Sequence, residues 1–220
     1  MKSMFKFLSF AAILAVATSP AARADTNSPL SAPGVYFGTG NVNAGFNVVD
    51  SGNLELGLSA ITRFQGPITP VGNTYAYVPG PGGPPNVDPN DATWDFVFSV
   101  NTGTAALNTY TYNLIITDTT TGATTSGDPS SPLLGNATPT DGSHGFQNAE
   151  NLGFSFLRTP LAFNPNALDS YTIELTATSG TTVVTDTINV VPTPEPSSLI
   201  LLGSGLMGVA GKFIRRRRIA

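Results

Sequence analysis

Apolar side chains recur at every second residue in several short segments of this 220-residue chain. In residues 54–58 the alternation places three leucines on one face and Glu55 on the other, and Trp94, Phe96 and Phe98 share a face in the same way. A period of two is the pattern of a β-strand with one buried face, and helical periodicity is nearly absent between residues 25 and 192. The sequence therefore predicts an all-β domain.

Runs of β-branched and aromatic residues are bounded by Gly, Asn, Asp and Pro, as strands separated by turns require. Two stretches rich in Pro, Gly, Ser or Thr, 78–85 and 118–131, are predicted to be loops. Eight short strands with polar turns predict an antiparallel β-sandwich, either Ig-like or jelly-roll. The predicted strands are 45–49, 54–64, 74–78, 93–100, 109–117, 153–157, 171–178 and 182–190.

The first 24 residues have the pattern of a signal peptide. Lys2 and Lys6 precede an apolar stretch over 7–17, and Ala22-Arg23-Ala24 is a small-x-small cleavage site. We expect cleavage after Ala24, which leaves residues 25–192 as an exported domain that starts at Asp25. The chain has no cysteine, so no disulfide stabilises this domain.

Residues 193–220 combine a short motif, an apolar run and a block of positive charge. Pro194, Glu195 and Pro196 precede the apolar run over 199–214, which would form a helix about 24 Å long, close to the thickness of a bilayer's hydrocarbon core. Four arginines stop such a helix and stay on the cytoplasmic side, so the sequence predicts a transmembrane helix with the domain outside. The four are Arg215, Arg216, Arg217 and Arg218.

Motif, apolar helix and arginine cluster, in this order, resemble the PEP-CTERM sorting signal. The resemblance implies that a membrane transpeptidase, exosortase, recognises the signal and removes it near Pro194–Pro196. It also implies transient anchoring in the cytoplasmic membrane, then release to the cell surface or an exopolysaccharide matrix. The domain loosely resembles the single sandwich common in PEP-CTERM proteins of unassigned role. The alternative is a plain single-pass anchor.

The exported domain is strongly acidic. Between residues 25 and 192 the only basic residues are Arg63 and Arg158, against 13 Asp and Glu, which gives a formal charge of −11. Such a surface repels phosphate groups, which excludes nucleic acid as a partner bound through a basic patch. It favours neutral partners and cations.

Two small groups of residues are candidate binding sites. Asp88, Asn90 and Asp91 crowd oxygen ligands into one loop, as Ca²⁺ prefers, although Asp and Asn are also common in turns. Tyr75 and Tyr77 lie two residues apart on one side of a predicted strand, where their rings would either stack on sugars or join the core. No other cofactor is expected.

No catalytic motif accompanies the single histidine, His144, which we interpret as a solvated loop residue. Asp91 and Asp95 are a candidate pair for glycoside hydrolysis only because they are close in sequence. We therefore expect a non-enzymatic protein of the cell envelope or extracellular matrix, with a structural or adhesive role in exopolysaccharide or biofilm. The alternative is a polysaccharide-binding module, stabilised by calcium if the loop binds it.

Overall fold

The computed structural model describes residues 23–30, 43, 45–82, 88–131 and 144–193. One short α-helix, α1 (Ser155–Leu161), and a 3₁₀ turn at Leu107–Thr109 interrupt an otherwise β structure. The strands are β1 (Arg23–Ser28), β2 (Phe46–Ser51), β3 (Leu54–Thr62), β4 (Gly66–Pro67), β5 (Thr74–Tyr77), β6 (Trp94–Asn101), β7 (Thr111–Asp118), β8 (Thr124–Gly127), β9 (Gly145–Glu150), β10 (Tyr171–Ser179) and β11 (Thr182–Pro192).

These strands form two sheets. Sheet A has the order β1-β2-β3-β6-β9, with β4 paired to β3, and sheet B has the order β5-β11-β10-β7-β8. All the strand pairs are antiparallel except β5 with β11, which run parallel. The predicted antiparallel β-sandwich is confirmed.

The main core lies between the two sheets and is rich in aromatic residues. At one end of the sandwich the ring of Trp94 packs against those of Tyr77 and Tyr171, with distances between ring centroids of 5.4 and 5.8 Å. Trp94, Phe96 and Phe98 point inward together, as their spacing predicts. Alternation along β10 and β11 similarly supplies the inner face of sheet B.

A second apolar cluster lies on the other face of sheet A, where Phe46, Val48, Ile61 and Val97 are buried together with Leu30. Because both faces of β3 are covered, Leu54 to Ile61 are all buried. The alternation of leucines in this strand predicts only one buried face, so the second was not expected.

The strand predicted at 153–157 is wrong. Gly153 ends a turn, and α1 begins two residues later at Ser155. Leu157 and Leu161 are buried and lie four residues apart, so the segment has one apolar helical face. Residues 154–156 alternate apolar, polar and apolar, which is the pattern of a strand. The seven-residue helix is too short to show a helical period over several turns.

Four strands were not predicted: β1, β4, β8 and β9. β8 falls inside the stretch 118–131 that was predicted to be a loop. β1 begins at Arg23, two residues before the expected mature N-terminus at Asp25.

Among the described residues no helix is long and apolar enough to cross a bilayer. The predicted signal-peptide core and the transmembrane helix over 199–214 lie outside these residues.

Candidate functional site

The chain leaves the folded domain at the end of β11, next to the predicted sorting signal. β11 lies inside sheet B between β10 and β5, and it ends at Pro192. The backbone N–H of Thr193 donates to the carbonyl of Tyr77 at 2.7 Å, which extends the parallel pairing by one more bond. Pro194, Glu195 and Pro196 follow directly but lie, like the four arginines, outside the described residues.

Tyr75 and Tyr77 share one face of β5, as predicted, but it is the inner face. Tyr75 is fully buried and its hydroxyl donates to the carbonyl of Gly45 at 2.6 Å, while that of Tyr77 donates to the carbonyl of Asp169 at 2.7 Å. Burial raises the pKa of both hydroxyls, that of Tyr77 to about 12. The prediction that these rings stack on sugars is wrong, because neither ring is open to solvent.

The carboxylates of the loop predicted to hold calcium contact other groups of the protein. Asp91 is buried, and its Oδ2 lies 2.7 Å from Nη1 of Arg63. Asp88 Oδ1 accepts from the backbone N–H of Asn90 at 2.9 Å and from its side-chain amide at 2.7 Å, which lowers the pKa of Asp88. Within the described ranges no three His, Cys, Asp or Glu side chains are grouped to hold a metal ion. The geometry therefore gives the calcium hypothesis no preformed site.

Asn151 joins this loop to the turn that follows β9. Its side-chain amide donates to the carbonyls of Ala92 and Trp94 at 3.1 and 3.0 Å and to Oδ1 of Asp95 at 2.7 Å. Its Oδ1 accepts from the backbone N–H groups of Ala92 and Gly153, at 2.8 Å each. A Cβ on Gly153 would lie 2.4 Å from the carbonyl oxygen of Asn90, so the two loops are in close contact. The role of Asn151 is structural, and no sequence pattern indicated it.

The two carboxylates considered for hydrolysis both contact other side chains of the protein. Asp91 contacts Arg63, whereas Asp95 lies on the outer face of sheet A and accepts from Asn151. Glu150 pairs with the inward-pointing Phe96 in the ladder, so it lies on the inner face. Burial, reinforced by the charge of Asp95, raises the pKa of Glu150 to about 8, and burial also raises the pKa of Asp95.

Asp186 is a second carboxyl group inside the sandwich. It points from β11 into the core, is 1 % exposed, and accepts from the side-chain amide of Asn47 on β2. Burial raises the pKa of Asp186 to about 7, although the hydrogen bond from Asn47 opposes this. The pair connects the two sheets across the core.

His144 is half-buried at the start of β9, and its Nδ1 lies 2.9 Å from the carbonyl oxygen of Ala105. The interpretation as a solvated loop residue holds only in part, because His144 lies directly before β9 but is only partly open to solvent. The histidine contacts a neighbouring turn and is not fully open to solvent.

The outer face of sheet B is an array of hydroxyl and amide groups, which we call the hydroxyl face. Its hydroxyls pair across strands: Thr117 with Thr124 at 3.2 Å and Thr176 with Thr185 at 3.1 Å. Only Glu174 on this face is charged. None of its positions is buried. They are Thr74, Thr111, Asn113, Ile115, Thr117, Thr124, Ser126, Thr172, Glu174, Thr176, Thr178, Val183, Thr185, Thr187 and Asn189.

This face was not predicted, although threonines at alternate positions of the strands indicate it. In β10 Thr172, Thr176 and Thr178 alternate with buried apolar residues. Threonine is common in strands for its β-branched shape, so each one alone is unremarkable. Only the pairing of β7, β8, β10 and β11 brings them together.

Residues 192–218 match the model of one family, the PEP-CTERM protein-sorting motif. The match begins at the last residue of β11 and covers the apolar run and the arginine cluster. No curated protein and no solved structure matches the chain. The motif indicates an extracellular protein that exosortase sorts, with export and membrane anchoring before processing. The chain thus carries a PEP-CTERM sorting motif over residues 192–218, and a β-sandwich of unassigned role leads directly into it.

Proposed function

We propose that this protein is a non-enzymatic structural or adhesive component of the cell envelope or exopolysaccharide matrix, and that the hydroxyl face contacts polysaccharide. The observation that carries the proposal is the near-neutral hydroxyl face on a domain whose formal charge is −11. A neutral, hydroxyl-rich polymer is not repelled there. The sorting motif supports the proposal because it directs the domain out of the cell.

The geometry of the face suits a long polymer more than a small ligand. Adjacent strands lie about 4.8 Å apart and alternate residues along a strand about 6.8 Å apart, so donors and acceptors repeat over a flat surface. Each neutral hydrogen bond adds only about 0.5–1.5 kcal/mol, but many weak contacts along one chain add up through effective concentration. The absence of a catalytic role is part of the proposal, and the internal partners of Asp91 and Asp95 support it.

Placing negative charge on the hydroxyl face should release the protein from the matrix. We expect Thr124→Glu with Thr185→Glu to reduce the washed, matrix-bound fraction several-fold, because two carboxylates that must lose water on contact with a neutral polymer replace two neutral hydroxyls. Thr104→Glu with Thr159→Glu is the matched control, since both threonines are exposed and away from this face. Quantitative immunoblots of washed matrix and medium from an exopolysaccharide-producing host with exosortase measure the fractions. Equal retention of the two variants would contradict the adhesive role of this face.

Processing gives a separate prediction. In such a host the mature chain should begin at Asp25 and lack residues 199–220, because signal peptidase and exosortase cut at the two ends. Mass spectrometry of both termini tests this. Replacing Pro194, Glu195 and Pro196 by alanine should leave the C-terminal segment in place, whereas Ser197→Ala with Ser198→Ala should not. Peptides that contain Arg215–Arg218 on most mature wild-type molecules would instead indicate a plain anchor.

A further inference from the structure

The described part of the chain exposes six large apolar side chains, and three of them surround the point where the chain leaves the domain. The three, which we call the exit rim, are Phe64, Val78 and Leu168, and they are 64, 66 and 62 % exposed. The other three are Val71, Phe156 and Val183.

Hydrogen bonds tie the exit rim to the exit itself. Thr193, the last described residue, donates to Tyr77, the neighbour of Val78. The hydroxyl of Thr93 donates to the carbonyl of Val78, and the carbonyl of Thr93 accepts from Arg63, the neighbour of Phe64, at 2.9 Å. The segments that contain Phe64, Val78 and Thr93 are therefore held together around the end of β11.

Leu168 joins the same surface through Tyr77. The Tyr77 hydroxyl donates to the carbonyl of Asp169, and Gly80 donates to the carbonyl of Pro165 at 2.7 Å. The loop that contains Leu168 is thereby held against the loop that contains Val78. All three apolar side chains lie at one end of the sandwich.

The conformation of Phe64 keeps its ring in solvent. Its φ is 61°, in the left-handed region that is unfavourable for a residue with a side chain. A glycine would suit this turn better, yet the position holds a large aromatic ring that points outward, with the Arg63 guanidinium 5.1 Å from its centroid. Strained backbone of this kind is characteristic of functional sites.

The length of chain beyond Thr193 places this end near a membrane. Five residues, 194–198, separate Thr193 from the apolar run that begins at Leu199. Fully extended, they span at most about 20 Å. The opposite end of the sandwich, at Thr182, is about 33 Å farther away along β11. The exit rim therefore lies at the end of the sandwich that this spacer holds nearest the bilayer.

Charge at the exit rim is compatible with this contact. Arg63 and Arg158, the two basic residues of the exported domain, both lie close enough to Asp88 to lower its pKa, after the larger effect of its hydrogen bonds to Asn90. Both cations of an otherwise acidic domain therefore lie at the end that faces the lipid, together with Asp88 and with Asp91, which pairs with Arg63. Aromatic and aliphatic side chains next to cations are the usual contents of a membrane-interface contact.

We infer that, before processing, the exit rim rests on the lipid headgroup surface of the bilayer that holds the C-terminal segment. The contact fixes the orientation of the sandwich and keeps the end of β11 near the headgroups. This inference depends on the sorting motif and not on the matrix role of the hydroxyl face. Each can fail while the other stands.

Spin labels at single cysteines test the inference. The chain has no cysteine of its own, so Phe64→Cys, Leu168→Cys and the control Val183→Cys each accept one nitroxide. Val183 is 61 % exposed but lies at the far end of β11, so it matches the others in exposure and not in position. The chain that retains residues 193–220 is placed in neutral phosphatidylcholine vesicles, and nitroxide collisions with oxygen and with a water-soluble nickel complex are compared.

We expect nickel accessibility at 64 and 168 to be several-fold lower than at 183, and oxygen accessibility to be higher. Equal accessibility at the three positions would overturn the inference. Shielding that arises only when exosortase is added would also overturn it, because the partner would then be the enzyme.

Two further variants separate lipid affinity from simple tethering. A flexible Gly/Ser insertion after Thr193 lengthens the tether, and the label at 168 should remain more shielded than the label at 183. Phe64→Ser with Val78→Ser should raise the nickel accessibility of the label at 168, whereas Val71→Ser with Val183→Ser should leave the accessibility at 168 unchanged. Loss of shielding on lengthening alone would show that the tether, and not the exit rim, imposes the proximity.

Discussion

Asn151→Ala is expected to destabilise the domain by about 3–5 kcal/mol, since each buried polar group left unpaired costs about 1–3 kcal/mol. The buried side chain of Asn151 makes five hydrogen bonds: four link the turn after β9 to residues 92–95 at the start of β6, and the fifth, from Gly153, lies within the turn. The substitution removes both the donor and the acceptor. Urea denaturation followed by the fluorescence of Trp94, the single tryptophan, measures the loss.

Asn113→Ala is the control, because Asn113 is exposed on the hydroxyl face. We expect its effect to stay within about 0.5 kcal/mol, as for most surface substitutions. Asn151→Asp keeps an acceptor but loses the amide donor, so it should also destabilise the domain by more than Asn113→Ala does. If Asn151→Ala were as stable as Asn113→Ala, the two loops would not depend on this residue.

The domain is also expected to lose stability as the pH rises from about 4 to 8. The pKa of Asp186 is raised to about 7 and that of Glu150 to about 8. The native state therefore keeps each proton over a pH interval in which the unfolded chain has released it. The stabilisation by these retained protons is complete below the pKa that each carboxyl has in the unfolded chain. It is lost as the pH rises through the pKa of the folded state. The free energy of unfolding should fall by about 1.4 kcal/mol per pH unit for each group.

Substitution separates this effect from general charge repulsion. Asp186→Asn and Glu150→Gln mimic the protonated groups, so each should remove its share of the pH slope and raise the stability at pH 8 relative to the wild type. Glu174→Gln on the hydroxyl face removes one negative charge without touching the core and should keep the slope. A wild-type domain whose stability rises between pH 5 and pH 8 would contradict the raised pKa values.

The sequence predicted the sandwich because several strands place apolar residues at alternate positions, and β10 follows that rule closely. It failed where a strand lacks an apolar face. β8 reads Thr-Thr-Ser-Gly, with no apolar side chain at all. In β9 the inner face includes Asn148 and Glu150, so its pattern resembles a polar loop. Pairing with neighbouring strands, which no local pattern shows, makes both segments strands.

Candidate sites were harder to predict than strands for a related reason. Alternation correctly placed Tyr75 and Tyr77 on one face of β5, but it does not say which face is inner. Asp88 and Asp91 were predicted to be cation ligands because their spacing in the loop does not show that Arg63, distant in sequence, pairs with Asp91. The sorting motif was identified from the sequence because its recognition depends on a contiguous segment and not on tertiary contacts.

The parallel pairing of β5 with β11 has a mechanical consequence. Any tension on the C-terminal segment, such as drag on the domain while the segment is held, pulls β11 along its own axis at Thr193. β11 is held by nine residue pairs to β10 and by four to β5. A pull along the strand loads these pairs in shear, so many hydrogen bonds must break together before the strand moves. An edge strand peeled from its end would instead lose them one at a time.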